Sequence, residues 1–219
     1  MSQPSLAVIV PTAGRSAQLI DCLASITQSS SAYSDLKIFV VDNNSQESLS
    51  RLVKQASEMF PNVEYSYCPS PGLSSARHHL LKTLDSDIFC YVDDDVKFSP
   101  SWLDSVTAAF RDSSVAMAGG PSIPDFQGSI PAWLWDFLQP SPYGGWCCPW
   151  LSLLDIGHDV DNINPNWIWG LNFAIRRDAL LDCGGFHIDL VPKQYIRWQG
   201  DGETGLTMKL AAKGYKAVY

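Results

Sequence analysis

The chain has 219 residues, 46% hydrophobic and 17% charged, which supplies a substantial core and excludes a disordered chain. Fifteen Lys and Arg stand against 23 Asp and Glu, a formal charge of -8, so a basic face for nucleic-acid phosphates is not expected. Cys22, Cys68, Cys90, Cys147, Cys148 and Cys183 include no C-x-x-C pair, which excludes a zinc knuckle and reads as reduced thiols in a cytoplasmic protein.

Leu6 to Val10 is a short apolar run with no basic segment before it and Pro11 directly after. It reads as a buried strand ended by Pro11-Thr12-Ala13-Gly14, not as a signal peptide or membrane span. Leu19, Leu23 and Ile26 share one face of a first helix. Leu36 to Val41 predicts a second strand, ended by Asp42-Asn43-Asn44-Ser45, and Leu49, Leu52, Val53 and Ala56 mark a second helix. A short strand at Val63 to Tyr67, a helix over Leu73 to Leu84 and a strand at Ile88 to Val92 complete the first hundred residues. Ser99-Pro100 predicts the start of a helix near Trp102 to Phe110, and Val115 to Ala118 a further strand.

From residue 121 to 169 periodicity fails. This stretch is rich in proline and carries Trp133, Trp135, Trp146, Trp150, Trp167 and Trp169, which predicts a long functional loop or lid. Order resumes from Trp169 to Arg177 and a short helix through Leu181. The final helix opens near Asp201-Gly202-Glu203, buries Leu206 and Leu210, and stops at Gly214.

Strands alternating with helices through short connections predict a parallel sheet covered by helices on both faces. Ligands of such sheets gather beyond the carboxyl ends of the strands. Those ends read Pro11-Thr12, Asp42-Asn43-Asn44 and Asp93-Asp94-Asp95, so polar groups from three strands converge on one edge. In an extended segment Asp93 and Asp95 point one way and Asp94 the other. Two carboxylates about 4 Å apart repel by roughly 4 kcal/mol at an effective dielectric near 20, a penalty that a divalent cation removes. Phe98 stands where a calcium loop of the EF-hand type needs Gly, so the alternatives are a Mg2+ or Mn2+ site and a solvated acidic turn. Arg77 is the nearest basic residue expected at this edge; its plain alternative is a surface position.

In order along the chain stand Pro11-Thr12, Val40-Val41-Asp42-Asn43-Asn44-Ser45, Gly72-Leu73-Ser74-Ser75-Ala76-Arg77 and Tyr91-Val92-Asp93-Asp94-Asp95. Gly170-Leu171-Asn172-Phe173-Ala174-Ile175-Arg176-Arg177 and Gly200-Asp201-Gly202-Glu203-Thr204-Gly205-Leu206 follow. Over residues 6 to 219 the chain resembles the family 2 glycosyltransferases of the GT-A fold. The resemblance implies an α/β, Rossmann-like, mostly parallel sheet with a Trp/Pro-rich region on the acceptor side. It implies one domain over 1-219, with residues 1-98 binding a nucleotide sugar and 99-219 facing the acceptor.

The implied activity is inverting, metal-assisted transfer from a UDP-, GDP- or dTDP-sugar to a hydroxyl of a glycan or lipid-linked acceptor. By position, Pro11, Thr12, Asp42 and Arg77 would line the nucleoside pocket and Asp93 and Asp94 would face ribose and sugar. Asp95, with Asp93, would hold Mn2+ or Mg2+. The implied general base is Glu203, three residues before Leu206 where the family more often has Asp; Asp201 is the second candidate. Trp167, Trp169 and Asn172 are expected on the acceptor side. The Trp-rich segment also suits a homodimer contact or a peripheral contact at the inner face of a membrane.

Two departures accompany the resemblance. Ala76-Arg77-His78 replaces the family's common Ala-Arg-Asn. Family members also continue past this chain's end, often with a metal-binding His, whereas the last histidine here is His187 and Tyr219 falls within an apparent strand, which predicts a truncated chain. Other readings are a catalytically impaired nucleotide-sugar-binding or scaffold domain and a sugar nucleotidyltransferase. The latter would need a Gly-rich basic loop after the first strand, and Pro11-Thr12-Ala13-Gly14-Arg15 has one Gly and no P-loop pattern.

Overall fold

β1 (Leu6–Thr12) is buried at every position, and the two-residue alternation of a strand divides its side chains between two cores. The computed structural model describes residues 4–30, 33, 36–126, 129, 131–187 and 202–219. Ala7 and Ile9 enter one core; Leu6, Val8 and Val10 enter the other. The following elements are α1 (Ser16–Ser29), β2 (Lys37–Asp42), α2 (Glu47–Glu58), β3 (Val63–Tyr67), α3 (Leu73–His79), β4 (Ile88–Val92), α4 (Trp102–Ala109) and β5 (Val115–Gly119). Three short strands come next, β6 (Gln139–Pro140), β7 (Trp146–Cys148) and β8 (Leu153–Asp155), then β9 (Asn172–Arg176), α5 (Arg177–Asp182), α6 (Glu203–Ala212) and β10 (Lys216–Val218).

Among the described residues, seven strands form one sheet in the order β10-β5-β9-β4-β1-β2-β3. All neighbours are parallel except β9, which runs antiparallel to both β4 and β5. Leu19, Cys22, Leu23 and Ile26 of α1, Val53 and Ala56 of α2 and Leu103 of α4 cover one face. Ala76 of α3, Leu180 of α5 and Leu206 and Leu210 of α6 pack on the other. The chain winds outward from β1 through β2 to β3, then returns to β4 on the opposite side of β1. The crevice beyond the carboxyl ends of β1 and β4 is therefore a topological switch point, where open α/β sheets bind ligands.

The structure corrects the sequence reading in four places. Pro11 and Thr12 continue β1, in register with Val41 and Asp42, where a strand break was expected. α3 stops at His79, short of Leu84: Leu81 N bonds back to His78 O and Thr83 N to Leu80 O, so the chain leaves the helix through tighter i→i−3 turns. α4 opens at Trp102 with Ser101 at its N-cap; Ser99 serves through its carbonyl, which accepts from Trp102 N. Residues 121 to 169 are not irregular throughout, because β6, β7 and β8 form a small antiparallel sheet that buries Cys147 and Leu154.

α6 ends as expected. Gly214 is left-handed (φ 73°), with Tyr215 N bonded to Leu210 O and Gly214 N to Ala211 O. All six cysteines are free and buried. Among the described residues no helix is long and apolar enough to cross a membrane.

Candidate active site

Thr12 and Asp42 are the last residues of β1 and β2 and stand in register. Asp42 is fully buried and satisfied: Asn44 N donates to Oδ1 at 3.0 Å and the Tyr65 hydroxyl to Oδ2 at 2.9 Å. Burial first, and Asp42 second, push the Tyr65 hydroxyl up to about 12, so it remains a donor at neutral pH. Asn43 ties this edge to the loop before α3. Its amide donates to Cys68 O at 3.0 Å and to Ser70 O, and its carbonyl accepts from Gly72 N at 2.6 Å.

The acidic triplet divides into three environments. Asp94 is fully buried and takes the Thr12 hydroxyl on Oδ2, while Arg15 Nη2 lies 2.6 Å from Oδ1. That second contact is one of charge: Oδ1 has no well-directed hydrogen bond. Burial raises the Asp94 carboxyl above its ordinary value, opposed by Thr12 and Arg15. Asp95 is exposed and meets Arg15 Nη1 at 2.5 Å. Asp93 is fastened through its backbone to Leu171 O at 3.0 Å. Its carboxyl is raised to about 6, chiefly by burial, with Arg77 opposing and Glu203, Asp95 and Asp94 adding to the rise.

Arg77 is 1% exposed. One arm of its guanidinium pairs with Glu203 Oε1; the other donates to Gly170 O at 3.0 Å and lies 3.4 Å from Asp93 Oδ1. Phe173 and Phe186 flank the head, with ring centroids 5.9 and 5.4 Å from Cζ. The surface alternative for Arg77 is thereby excluded. Glu203 opens α6 at the left-handed Gly202 (φ 70°), and a Cβ added to Gly170 would run into its carboxylate. The Gly170-Leu171-Asn172 segment thus supplies the seat of the Arg77–Glu203 pair. Asp201 lies outside the described residues.

Arg15, not Arg77, is the basic residue against Asp94 and Asp95, and sequence reasoning missed it. The available signal was a cation just past the end of β1, on the edge where two other strands deliver carboxylates. His78, the departure from the family pattern, has a structural role: its Nε2 accepts from Phe186 N at 2.8 Å.

Asp95 and Asn172 both line a cavity of about 1210 Å³, walled also by Phe98, Trp102, Gly120 and Ile123. Asn172 Oδ1 accepts from Trp102 Nε1 at 3.1 Å. Trp167 and Trp169 are half-buried against the core, Trp167 edge-on to Tyr143, so much of their ring surface is already used in packing. Trp133, Trp135 and Trp150 are the exposed tryptophans of this side, at 60%, 55% and 83%.

The chain, with this fold and a carboxylate triplet after β4, is similar to known proteins in sequence and in fold. The model of Glycosyl transferase family 2 matches residues 7–182, and the chain belongs to that family. The glycosyltransferase AglE of Haloferax volcanii is 25% identical over 197 residues, covering 89% of this chain and 60% of that protein. The succinoglycan biosynthesis protein ExoM of Rhizobium meliloti is 28% identical over 100 residues, 45% of this chain and 32% of that protein. The matched part of the chain thus spans 32% to 60% of the length of these relatives.

The mannosyltransferase PcManGT from Pyrobaculum calidifontis, solved with GDP-Man and Mn2+, superposes with a TM-score of 0.66 at 17% identity, over 99% of this chain and 55% of that one. S. aureus TarS 1-349 with UDP-GlcNAc gives 0.59 at 16%, over 98% and 55%. Both likenesses bear out the expected GT-A fold.

The family implies a divalent metal, and the donor set fits one. Among the described residues no three metal-ligating side chains converge. Mg2+ or Mn2+ on a diphosphate needs one or two protein carboxylates, since phosphate oxygens and water complete its shell. Asp95 is an exposed hard oxygen donor in the turn that follows β4, and Asp93 opens that turn. The extended alternation expected of the triplet is not what forms: Val96 N bonds back to Asp93 O, Asp94 and Asp95 share Arg15, and Asp93 faces Arg77.

Proposed function

We propose that the chain catalyses inverting transfer of a sugar from a nucleotide-diphosphate sugar to an acceptor hydroxyl. The observation that carries this reading is the buried Arg77 guanidinium joining Asp93, at the end of β4, to Glu203, at the start of α6. It gathers the acids assigned to donor and base on one edge of the sheet. In this reading Pro11, Thr12 and Asp42 border the nucleoside, residues 1-98 form the donor half and 99-219 the acceptor half. The complexes of PcManGT with GDP-Man and of TarS with UDP-GlcNAc support a UDP- or GDP-sugar as donor.

Asp95, with Asp93, would hold Mn2+ or Mg2+, which when bound supplies charge neutralisation of the diphosphate leaving group. Glu203 takes the proton from the attacking hydroxyl while Arg77 and Gly170 fix the direction of its carboxylate. Leu171 holds the Asp93 backbone in place, so the triplet keeps its geometry as the donor arrives. Asn172, on the wall of the large cavity, orients the acceptor, and Trp167 and Trp169, half-buried on the segment that leads into β9, offer it the ring surface they keep exposed.

The test is a panel of UDP- and GDP-sugars incubated with Mn2+ and candidate glycan or lipid-linked acceptors. Product anomers are read by NMR, and thermal shifts with UDP and GDP are measured in parallel. Transfer with inverted anomeric configuration, lost in Asp95→Ala, is expected. Retained configuration would sink the mechanism, and nucleotide binding without transfer in the full-length protein would favour a scaffold role.

A further inference from the structure

Arg15 bridges a buried and an exposed carboxylate of the triplet, and the two ends of that bridge do different work. Asp94 is enclosed, with the Thr12 hydroxyl on Oδ2 and Arg15 Nη2 2.6 Å from Oδ1, so this end of the bridge is held inside the protein. Asp95 is 44% exposed and water can solvate it without help. The Arg15 side chain is itself 53% exposed, on the connection after Gly14 (φ 100°), and makes no capping bond to α1. An exposed guanidinium–carboxylate contact shifts an equilibrium by no more than a few-fold, so its Asp95 arm is readily given up.

We infer that Arg15 is a positioning residue, the resident counter-cation that a divalent metal must displace from Asp95. The inference rests on the placement of the metal at Asp95 proposed above. Once displaced, the guanidinium remains tethered by charge to Asp94, beside the place where the diphosphate charge arrives. A planar guanidinium matches phosphate oxygens. Metal alone then competes with Arg15, whereas metal and diphosphate together give Arg15 a new partner. The two ligands therefore bind with positive coupling, and the coupling is reciprocal.

The experiment is a Mn2+ titration of the full chain followed by electron paramagnetic resonance of free Mn2+, alone and with GDP or UDP. The chains are wild type, Arg15→Gln, Arg15→Lys, Lys97→Gln and Asp95→Asn. Lys97 also lies near Asp95 but pairs with Asp21 and Asp125, so its variant reports the general loss of one positive charge.

Arg15→Gln is expected to bind Mn2+ alone about two- to fivefold tighter than wild type, a gain in the range of an exposed ion pair. The factor by which the diphosphate tightens Mn2+ should shrink in the same variant. Arg15→Lys, whose single ammonium cannot span both carboxylates, should gain less and covers the case in which Arg15→Gln does not fold. Unchanged or weaker Mn2+ binding in both Arg15 variants, or a gain no larger than that of Lys97→Gln, would overturn the role of Arg15 and leave the metal site standing. Wild-type Mn2+ affinity in Asp95→Asn, or no Mn2+ binding by any chain with either diphosphate, would instead overturn the metal placement and this inference with it.

Discussion

Arg77 and Glu203, 126 residues apart in the chain, share a charge-assisted contact inside a protein of formal net charge -8. The pair closes the site between α3 and α6 and is bounded by the Phe173 and Phe186 rings. A guanidinium so enclosed stays in place because Glu203, Asp93 and Gly170 O together meet its charge and donors.

Glu203→Gln and Arg77→Met separate chemistry from support. Gln keeps an oxygen for Arg77 but cannot take a proton, so transfer should fall by roughly 10² to 10⁴, and the melting temperature should fall less than in Arg77→Met because Asp93 and Gly170 O still meet the guanidinium. Arg77→Met leaves two acids without their partner. Breaking such a buried pair costs about 3–5 kcal/mol, and at roughly 2–4 °C per kcal/mol for a domain of this size the loss is easily read by calorimetry. A Glu203→Gln protein with full transfer would remove Glu203 from the mechanism.

Gly170→Ala probes the seat of the same pair. An added Cβ meets the Glu203 carboxylate, whose flexible end can shift without unfolding the protein. The expected result is a fall in kcat of about 10²-fold, the cost typical of a misplaced catalytic group. KM for the donor should stay close to wild type, because Thr12 and Asp42 lie on other strands. A changed donor KM with unchanged kcat would place Gly170 in donor binding instead.

The strands were legible in the sequence because their apolar runs end abruptly in polar residues, and the β1 and β4 ends pointed to the switch point. Arg15 was not, because its partners lie 80 residues further on and nothing local distinguishes it from a surface arginine. The small sheet escaped for another reason: β6, β7 and β8 hold two or three residues each, too few to display a period. The end of α3 is drawn by i→i−3 backbone bonds from Leu81 and Thr83, while Leu80, Leu81 and Leu84 keep a spacing that still reads as helical. Asp201 falls outside the described residues, so the choice between it and Glu203 rests with the variants.

Thr12→Val tests the support beneath the triplet. Valine fills nearly the same volume but removes the hydroxyl that Asp94 accepts in a fully buried setting. Loss of a donor to a buried acceptor costs about 1–3 kcal/mol, so the melting temperature should fall by several degrees. Thr12→Ser restores the hydroxyl and should recover most of that loss. Equal stability of the valine and serine variants would mean that the hydroxyl contributes nothing to the fold.

The remaining prediction concerns pH. Burial lowers the His78 imidazole below its ordinary value, with the positive charges of Lys209 and Lys82 acting in the same direction. Neutral His78 accepts the Phe186 N–H, a role that protonation at Nε2 abolishes. Because the unfolded chain binds this proton more readily than the folded one, the contribution of His78 is present above pH 6.5 and is lost as pH falls through the depressed folded value. One proton sets an upper slope of about 1.4 kcal/mol per pH unit. His78→Gln offers an acceptor that does not titrate, so its stability between pH 7 and pH 5 should decline less steeply than that of wild type. The comparison requires denaturant melts of both chains at each pH, because carboxylates such as Asp87, whose pKa is lowered by its Ser5 hydrogen bonds, also lose stability on acidification. Their share cancels between the two chains. Parallel pH profiles would assign the acid sensitivity to the carboxylates and remove His78 from it.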